Sequence, residues 1–316
     1  MLLHEDRPHS VPARARLVWK ENWFFVFMDP ERKLNGLIHL STEPTNNIAY
    51  VSLTLLHDGN VSKKNVAVPL PEKFENQSRL TVGSLVVEFI KAQQEIRLYY
   101  QDEEIHLDIT MYGRMKLFDF LACHDVNPDH ISISESTGFG LGQFRHQGQS
   151  MSAKGAVNYR EYGKSLKVDG LGYRDHSWGM RNDQLTLSHN WTFINFTDKT
   201  FHLFSKRNTI RPEIELREGY VGFSEGNKVL SSLEIHYVGN DDEGMPEKVR
   251  FIVADIDNNE YTIIADVGNS FARLPLHLQK DSGKSYYCVE NFCNCRIEET
   301  GEEGLANVEI GQLIDV

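Results

Sequence analysis

Hydrophobic and polar positions alternate along most of this chain with a period of two. In EIHLDITM, Ile105, Leu107, Ile109 and Met111 alternate with His106, Asp108 and Thr110. In LVVEFI, Leu85, Val87 and Phe89 hold one side, and Val86, Glu88 and Ile90 leave the other only partly polar. LEIHYV offers Leu233, Ile235 and Tyr237, and NWTFINF and FHLF continue the pattern. RFIVADIDNNEYTIIADV reads as two strands around an Asn258-Asn259 turn, a hairpin signal. Successive side chains of a strand point to opposite faces, so the alternation predicts half-buried antiparallel strands. A three-residue recurrence stands out in MKLFDFLACHD, where Met115, Phe118 and Leu121 predict one short helix. Turn clusters such as HDGN, SEGN and NDDEG space the strands. So many strands must close into barrels or pack as sandwiches to hide their edges, which predicts a mainly β protein.

The 316 residues fit two domains of roughly 150 each. Both halves also begin alike. ENWFFVFMDPERKLNGLIHL and HNWTFINFTDKTFHLFSK are each strand, turn, strand, and each sets Asn-Trp before an aromatic run: Asn22-Trp23 and Asn190-Trp191. Two related β-domains follow as the expectation.

Composition narrows the chemistry. Hydrophobic residues make up 40% and charged residues 25%, enough for a buried core. The net charge of −12 repels nucleic acid and anionic lipid, so neither is an expected partner. MLLHEDRPHSVPARARL mixes charge and proline where a secretion signal would be apolar, and no stretch approaches a membrane span. The expected location is the cytoplasm, with Cys123, Cys288, Cys293 and Cys295 as reduced thiols. The spacing C-x4-C-x-C matches no common zinc pattern, and the nearest histidine is His277. On a strand, Cys293 and Cys295 share a face and read as core residues. The glycine-rich STGFGLGQF lacks a phosphate-loop pattern, and no G-x-S-x-G elbow occurs. No cofactor and no metal are expected.

The stretch GLGYRDHSWGMR, residues 170–181, falls where the halves meet. Its Gly170 and Gly172 allow positive φ or close backbone approach. In an extended backbone, Arg174, His176 and Trp178 point one way and Asp175 and Ser177 the other. A neighbouring cation and burial both lower a histidine pKa, so His176 reads as a general base or orienting group, with Trp178 as an aromatic wall. The competing reading makes Arg174 and Asp175 a buried pair fixing an interdomain turn, with Trp178 as a core anchor. His146 either joins His176 across a pocket or stands at a strand edge. Trp23 and Trp191 either floor the two pockets or pack the cores. Tyr173 is a phenol donor or an exposed loop residue, and His189 a surface turn residue.

Together with His146, Gln149 and Val168-Asp169-Gly170, the run from Arg174 to Gly179 with Arg181 resembles the carotenoid hydratase-like and AttH-like family. The aromatic start near Trp23 is similar to that family's first strand. The resemblance implies two lipocalin-like antiparallel β-barrels in tandem, over about 1–182 and 183–316, with a pocket near their junction. It also implies cofactor-free chemistry on a hydrophobic terpenoid or polyketide-like molecule: cyclisation, isomerisation or hydration of a double bond. His176 is then the acid/base, Trp178 the wall, and Arg174 and Asp175 the orienting groups. Trp23, His146, Tyr173 and Trp191 are substrate-binding candidates. The chain departs from the family where a downstream Tyr-x-Asp supplies acid, because Leu203-Phe204-Ser205 stand near that place. The alternative is a carrier that binds a hydrophobic small molecule without changing it. Nothing in the sequence sets the oligomeric state.

Overall fold

The computed structural model describes residues 6–13, 19–126, 139–160, 163–242, 244–280 and 283–315. Outside it lie residues 136–138 of STGFGLGQF with the side chains of 139–143, and the side chains of Arg181 and His277. The chain divides into two compact units, one of residues 1–117 with 144–180 and one of 118–143 with 181–316. The sequence-based division at 182/183 sets 118–143 in the first half, whereas the contacts group it with the second.

The first sheet contains β1 (Trp19–Asp29), β2 (Leu34–Glu43), β3 (Ile48–His57), β4 (Asn60–Pro69), β5 (Arg79–Val82), β6 (Leu85–Lys91), β7 (Glu95–Gln101) and β8 (Ile105–Gly113). After β9 (Phe118–Asp119) and α1 (Leu121–Val126) it is completed by β10 (Phe139–Tyr159) and β11 (Lys164–Arg181). The strand order is β4-β3-β2-β1-β11-β10-β8-β7-β6-β5. The first strand of the unit thus lies beside its last, in the middle of a path that ends at β4 and β5. The predicted alternation is realised on β8, where Ile105, Leu107, Ile109 and Met111 are buried and the residues between them less so. These join Trp23, Phe25, Phe27, Leu85, Val87, Phe89 and Val168 in one core.

The second sheet contains β12 (Thr186–Asn195), β13 (Lys199–Asn208), β14 (Glu215–Phe223), β15 (Asn227–Val238), β16 (Lys248–Asp255), β17 (Glu260–Ala265), β18 (Ala272–Lys280), β19 (Lys284–Ile297) and β20 (Glu303–Asp315). Its first strand, β12, pairs its last, β20, and β17 pairs β19, which closes the ring. The fold is therefore mainly β: two lipocalin-like antiparallel barrels in tandem. The Asn-Trp repeats open both, as the β1–β2 and β12–β13 hairpins. The predicted hairpin is β16–β17, with Asn258 at φ 63° in its turn.

The predicted helix is shorter than its pattern. Phe118 sits on a two-residue strand, and Asp119 accepts the Leu121 N–H at 3.0 Å to start α1. Phe118 stacks on Tyr220 instead of forming one helical face with Met115 and Leu121, and Phe120 meets the same ring edge-on.

Candidate functional site

The stretch 170–181 is not a turn. It is the extended second half of β11, paired with β1 so that Phe25 faces Arg174, Trp23 faces His176 and Glu21 faces Trp178. The glycines serve close approach. A Cβ on Gly170 would stand 2.2 Å from the Met28 carbonyl oxygen, and one on Gly172 2.3 Å from that of Val26. Only Gly179, at φ 129°, needs the freedom that favours glycine in this motif.

Strand alternation turns Arg174, His176 and Trp178 to the face that carries Trp23 and Phe25. Arg174 is buried and donates from Nη1 to Asp6 Oδ1 at 2.6 Å and from Nε to Gln149 Oε1 at 3.1 Å. The Gln149 amide spans the backbone carbonyls of Gln93 and Met115. Asp6 also accepts the Gln93 N–H at 2.9 Å, and its carbonyl accepts Trp23 Nε1–H at 3.1 Å. The Arg174–Asp175 pair of the competing reading does not form, because neighbours on a strand point to opposite faces: Arg174 meets Asp6 and Asp175 meets His146.

His176 is 1% exposed. Its Nε2 lies 2.9 Å from Glu21 Oε1, and its ring stacks on Trp23 at 4.8 Å and 17°. Burial pushes its pKa below the usual histidine value; Glu21 opposes the shift, and His9 and Arg174 add to it. Glu21 also accepts the His9 backbone N–H at 3.0 Å and lies 2.8 Å from His9 Nδ1. The His9 ring stacks on Trp178 at 4.1 Å. His176 Nδ1 is buried and has no protein partner. The chemistry available is proton transfer at Nδ1, with the Glu21 carboxylate stabilising an imidazolium through Nε2.

The other face of β11 holds a separate pair. Asp175 hydrogen-bonds His146 Nε2, so His146 does not join His176. Tyr173 is fully buried on that same face and is neither an exposed loop residue nor beside His176.

The donor atoms of His9, Glu21 and His176 lie within 4.8 Å of one another. A ligating imidazole normally gives its second nitrogen to an outer acceptor, and His176 Nδ1 has none. As a metal centre the trio is incomplete, and hydrogen bonding accounts for its geometry.

A family model described as "Domain of unknown function (DUF7064)" matches residues 3–314. The chain belongs to the DUF7064 family. No curated protein matches its sequence. Solved structures do share its fold. An AttH-like protein from Nitrosomonas europaea superposes with a TM-score of 0.65 at 13% identity, covering 96% of this chain and 98% of that one. Kievitone hydratase from Nectria haematococca gives 0.63 at 13%, covering 98% and 92%. CghA, solved with Sch210972, gives 0.63 at 8%, covering 98% and 94%. This DUF7064 protein therefore has the AttH-type fold that its RDHSWG run implied.

The remaining candidates of the DUF7064 chain lie elsewhere. Trp23 belongs to the first core. Trp191 sits in the second unit, edge-on to Phe193 at 5.4 Å and His202 at 4.9 Å, on the opposite face of β12 from the core residue Ile194. His189 is a half-buried strand residue, not a surface turn. The four thiols are free and buried. Cys293 and Cys295 share the core face as expected, and Cys288 points the other way. Among the described residues no helix is long and apolar enough to cross a membrane.

Sequence reading missed Glu21, His9 and Asp6. Glu21 left a signal: in WKENWFFVF it alternates in phase with Trp19, Trp23, Phe25 and Phe27, a carboxylate on a core face. His9 and Asp6 precede the first strand and follow no period.

Proposed function

We propose that the protein is a cofactor-independent enzyme that moves a proton on a hydrophobic small molecule, in a cyclisation, isomerisation or hydration of a double bond. The observation that carries the reading is His176: a buried imidazole held by Glu21 at one nitrogen, flanked by Trp23 and Trp178, with the other nitrogen unpartnered. Nδ1 takes or gives the proton. Glu21 fixes the ring and balances the charge that forms on it, and the indoles exclude water and shape the apolar wall. Arg174, tied to Asp6 and Gln149, orients β11 without reaching the reacting molecule. The fold shared with kievitone hydratase supports a reaction of this class. Ligand entry runs past His9, whose side chain is 20% exposed over the cluster.

A second reading, a carrier without chemistry, is favoured by one observation: Asp175, an expected orienting group of the site, faces His146 on the other side of β11. Incubation of the purified protein with an apolar cell extract in D2O separates the two. The enzyme returns a changed molecule carrying carbon-bound deuterium, and His176→Ala abolishes that product while leaving the far-UV spectrum intact. Recovery of a bound but unaltered, undeuterated molecule identifies a carrier.

A further inference from the structure

We propose that His189, Cys288 and Glu309 form a binding site for a divalent transition metal of the zinc class in the second unit. The site is built by register on three neighbouring strands. β20 runs between β12 and β19, and Gly311 stands opposite both His189 and Cys288. Two pairs further along, and so on the same face, Glu309 stands opposite Glu290. The three side chains project on the face turned away from Cys293, Cys295 and Ile194. His189 Nε2 lies 2.7 Å from Glu309 Oε1, Cys288 Sγ lies 3.1 Å from the same oxygen, and all three donor atoms fall within 4.8 Å of one another.

Two further features distinguish this trio from an ordinary polar cluster. The first is room. A Cβ on Gly311 would stand 2.4 Å from His189 Cε1 and 2.7 Å from Tyr286 Cε1, so only glycine lets both rings lie across the strand. The second is an outer shell. Tyr286 Oη lies 2.5 Å from His189 Nδ1, the partner that a ligating imidazole uses to fix its tautomer. The phenol can accept from Nδ1–H as well as donate to Nδ1, so the imidazole can present Nε2 as a lone pair. Glu290, which accepts the Asn307 amide at 3.0 Å, stands opposite Glu309 in the ladder. The His9–Glu21–His176 trio of the first unit lacks such a shell.

Nitrogen, thiolate and carboxylate make a donor set that zinc accepts, at bond lengths of about 2.0–2.3 Å. Tetrahedral ligation sets donors roughly 3.3–3.6 Å apart by those lengths, so the present hydrogen bonds need to open by about half an ångström. On binding, the Cys288 thiol proton leaves to solvent and the His189 proton settles on Nδ1. The Cys288 end is buried, while His189 and Glu309 are 15% and 19% exposed, which leaves a route for the ion and a fourth position for water. The site does not rest on the reaction proposed for His176.

The test uses the full chain, stripped with a chelator and titrated with Co(II), then Zn(II). One equivalent of Co(II) should bind with a thiolate-to-metal charge-transfer band, and Zn(II) should displace it. The band should vanish in Cys288→Ser, and affinity should fall at least tenfold in His189→Ala and Gly311→Ala. X-ray absorption of the zinc-loaded unmodified protein, which depends on no variant folding, should show one sulfur among nitrogen and oxygen donors. Absence of stoichiometric binding, a band that survives Cys288→Ser, or a shell with no sulfur or with two overturns the proposal.

Discussion

His176 and Arg174 stand two residues apart on one face, yet they are held in different ways. A guanidinium is a permanent cation, and that of Arg174 depends on Asp6 for its counter-charge. Asp6→Asn leaves a buried guanidinium without its counter-charge, which should cost roughly 3–5 kcal/mol in urea unfolding. Asp175→Asn should cost less, because its partner is an imidazole, which has a neutral form, and a guanidinium has none. His176 governs a pH response instead. Burial lowers its pKa in the fold, so below the unfolded value of about 6.5 the unfolded chain binds a proton that the folded chain refuses. Its contribution to stability is therefore complete above about pH 6.5 and is lost as pH falls through that value toward the folded pKa. The urea midpoint should drop on acidification from neutrality, and the drop should be shallower in His176→Phe, which has no proton to bind. Equal slopes for the two proteins would place the response elsewhere.

Strand β11 owes its place beside β1 to glycines at alternate positions. Gly170 and Gly172 lie on the inner face, where a side chain would strike the backbone of β1. Gly172→Ala drives a Cβ against the Val26 carbonyl oxygen and the Met111 side chain, and should destabilise by about 1–3 kcal/mol. Gly226→Ala meets nothing within 4 Å and should stay within about 0.5 kcal/mol of the parent. Hydrogen exchange should quicken at the β1 amides in the first variant only. The sequence shows the Gly170–Gly172 pair and Gly226 plainly. It does not show that one of them keeps two strands close while the other sits in an open turn, because that depends on which backbone lies opposite.

In the molecule as a whole, the two sheets deal with their edges differently. The second closes on itself through β17 and β19, which leaves β18 outside the ring, beside β19. The first ends at β4 and β5, and β4 carries Lys63, Lys64 and Pro69. Charged side chains and proline discourage pairing with another chain. The surplus of acidic residues, −12 overall, adds long-range repulsion between copies.

Local pattern determined much of this protein. Period-two alternation, the Asn258 turn and the paired Asn-Trp starts marked the β class, the repeat and most core residues, since alternation is a property of each strand alone. The same rule put Arg174, His176 and Trp178 on one face, and Cys293 with Cys295. Tertiary structure decided the partners. Arg174 meets Asp6 across 168 residues, and His176 meets Glu21 across 155. Cys288 meets His189 and Glu309 only because β20 lies between β12 and β19 in one register. A shift of one residue would turn those side chains to the other face. Such pairings rest on the closure of a sheet by its first and last strands, and no window of sequence contains both.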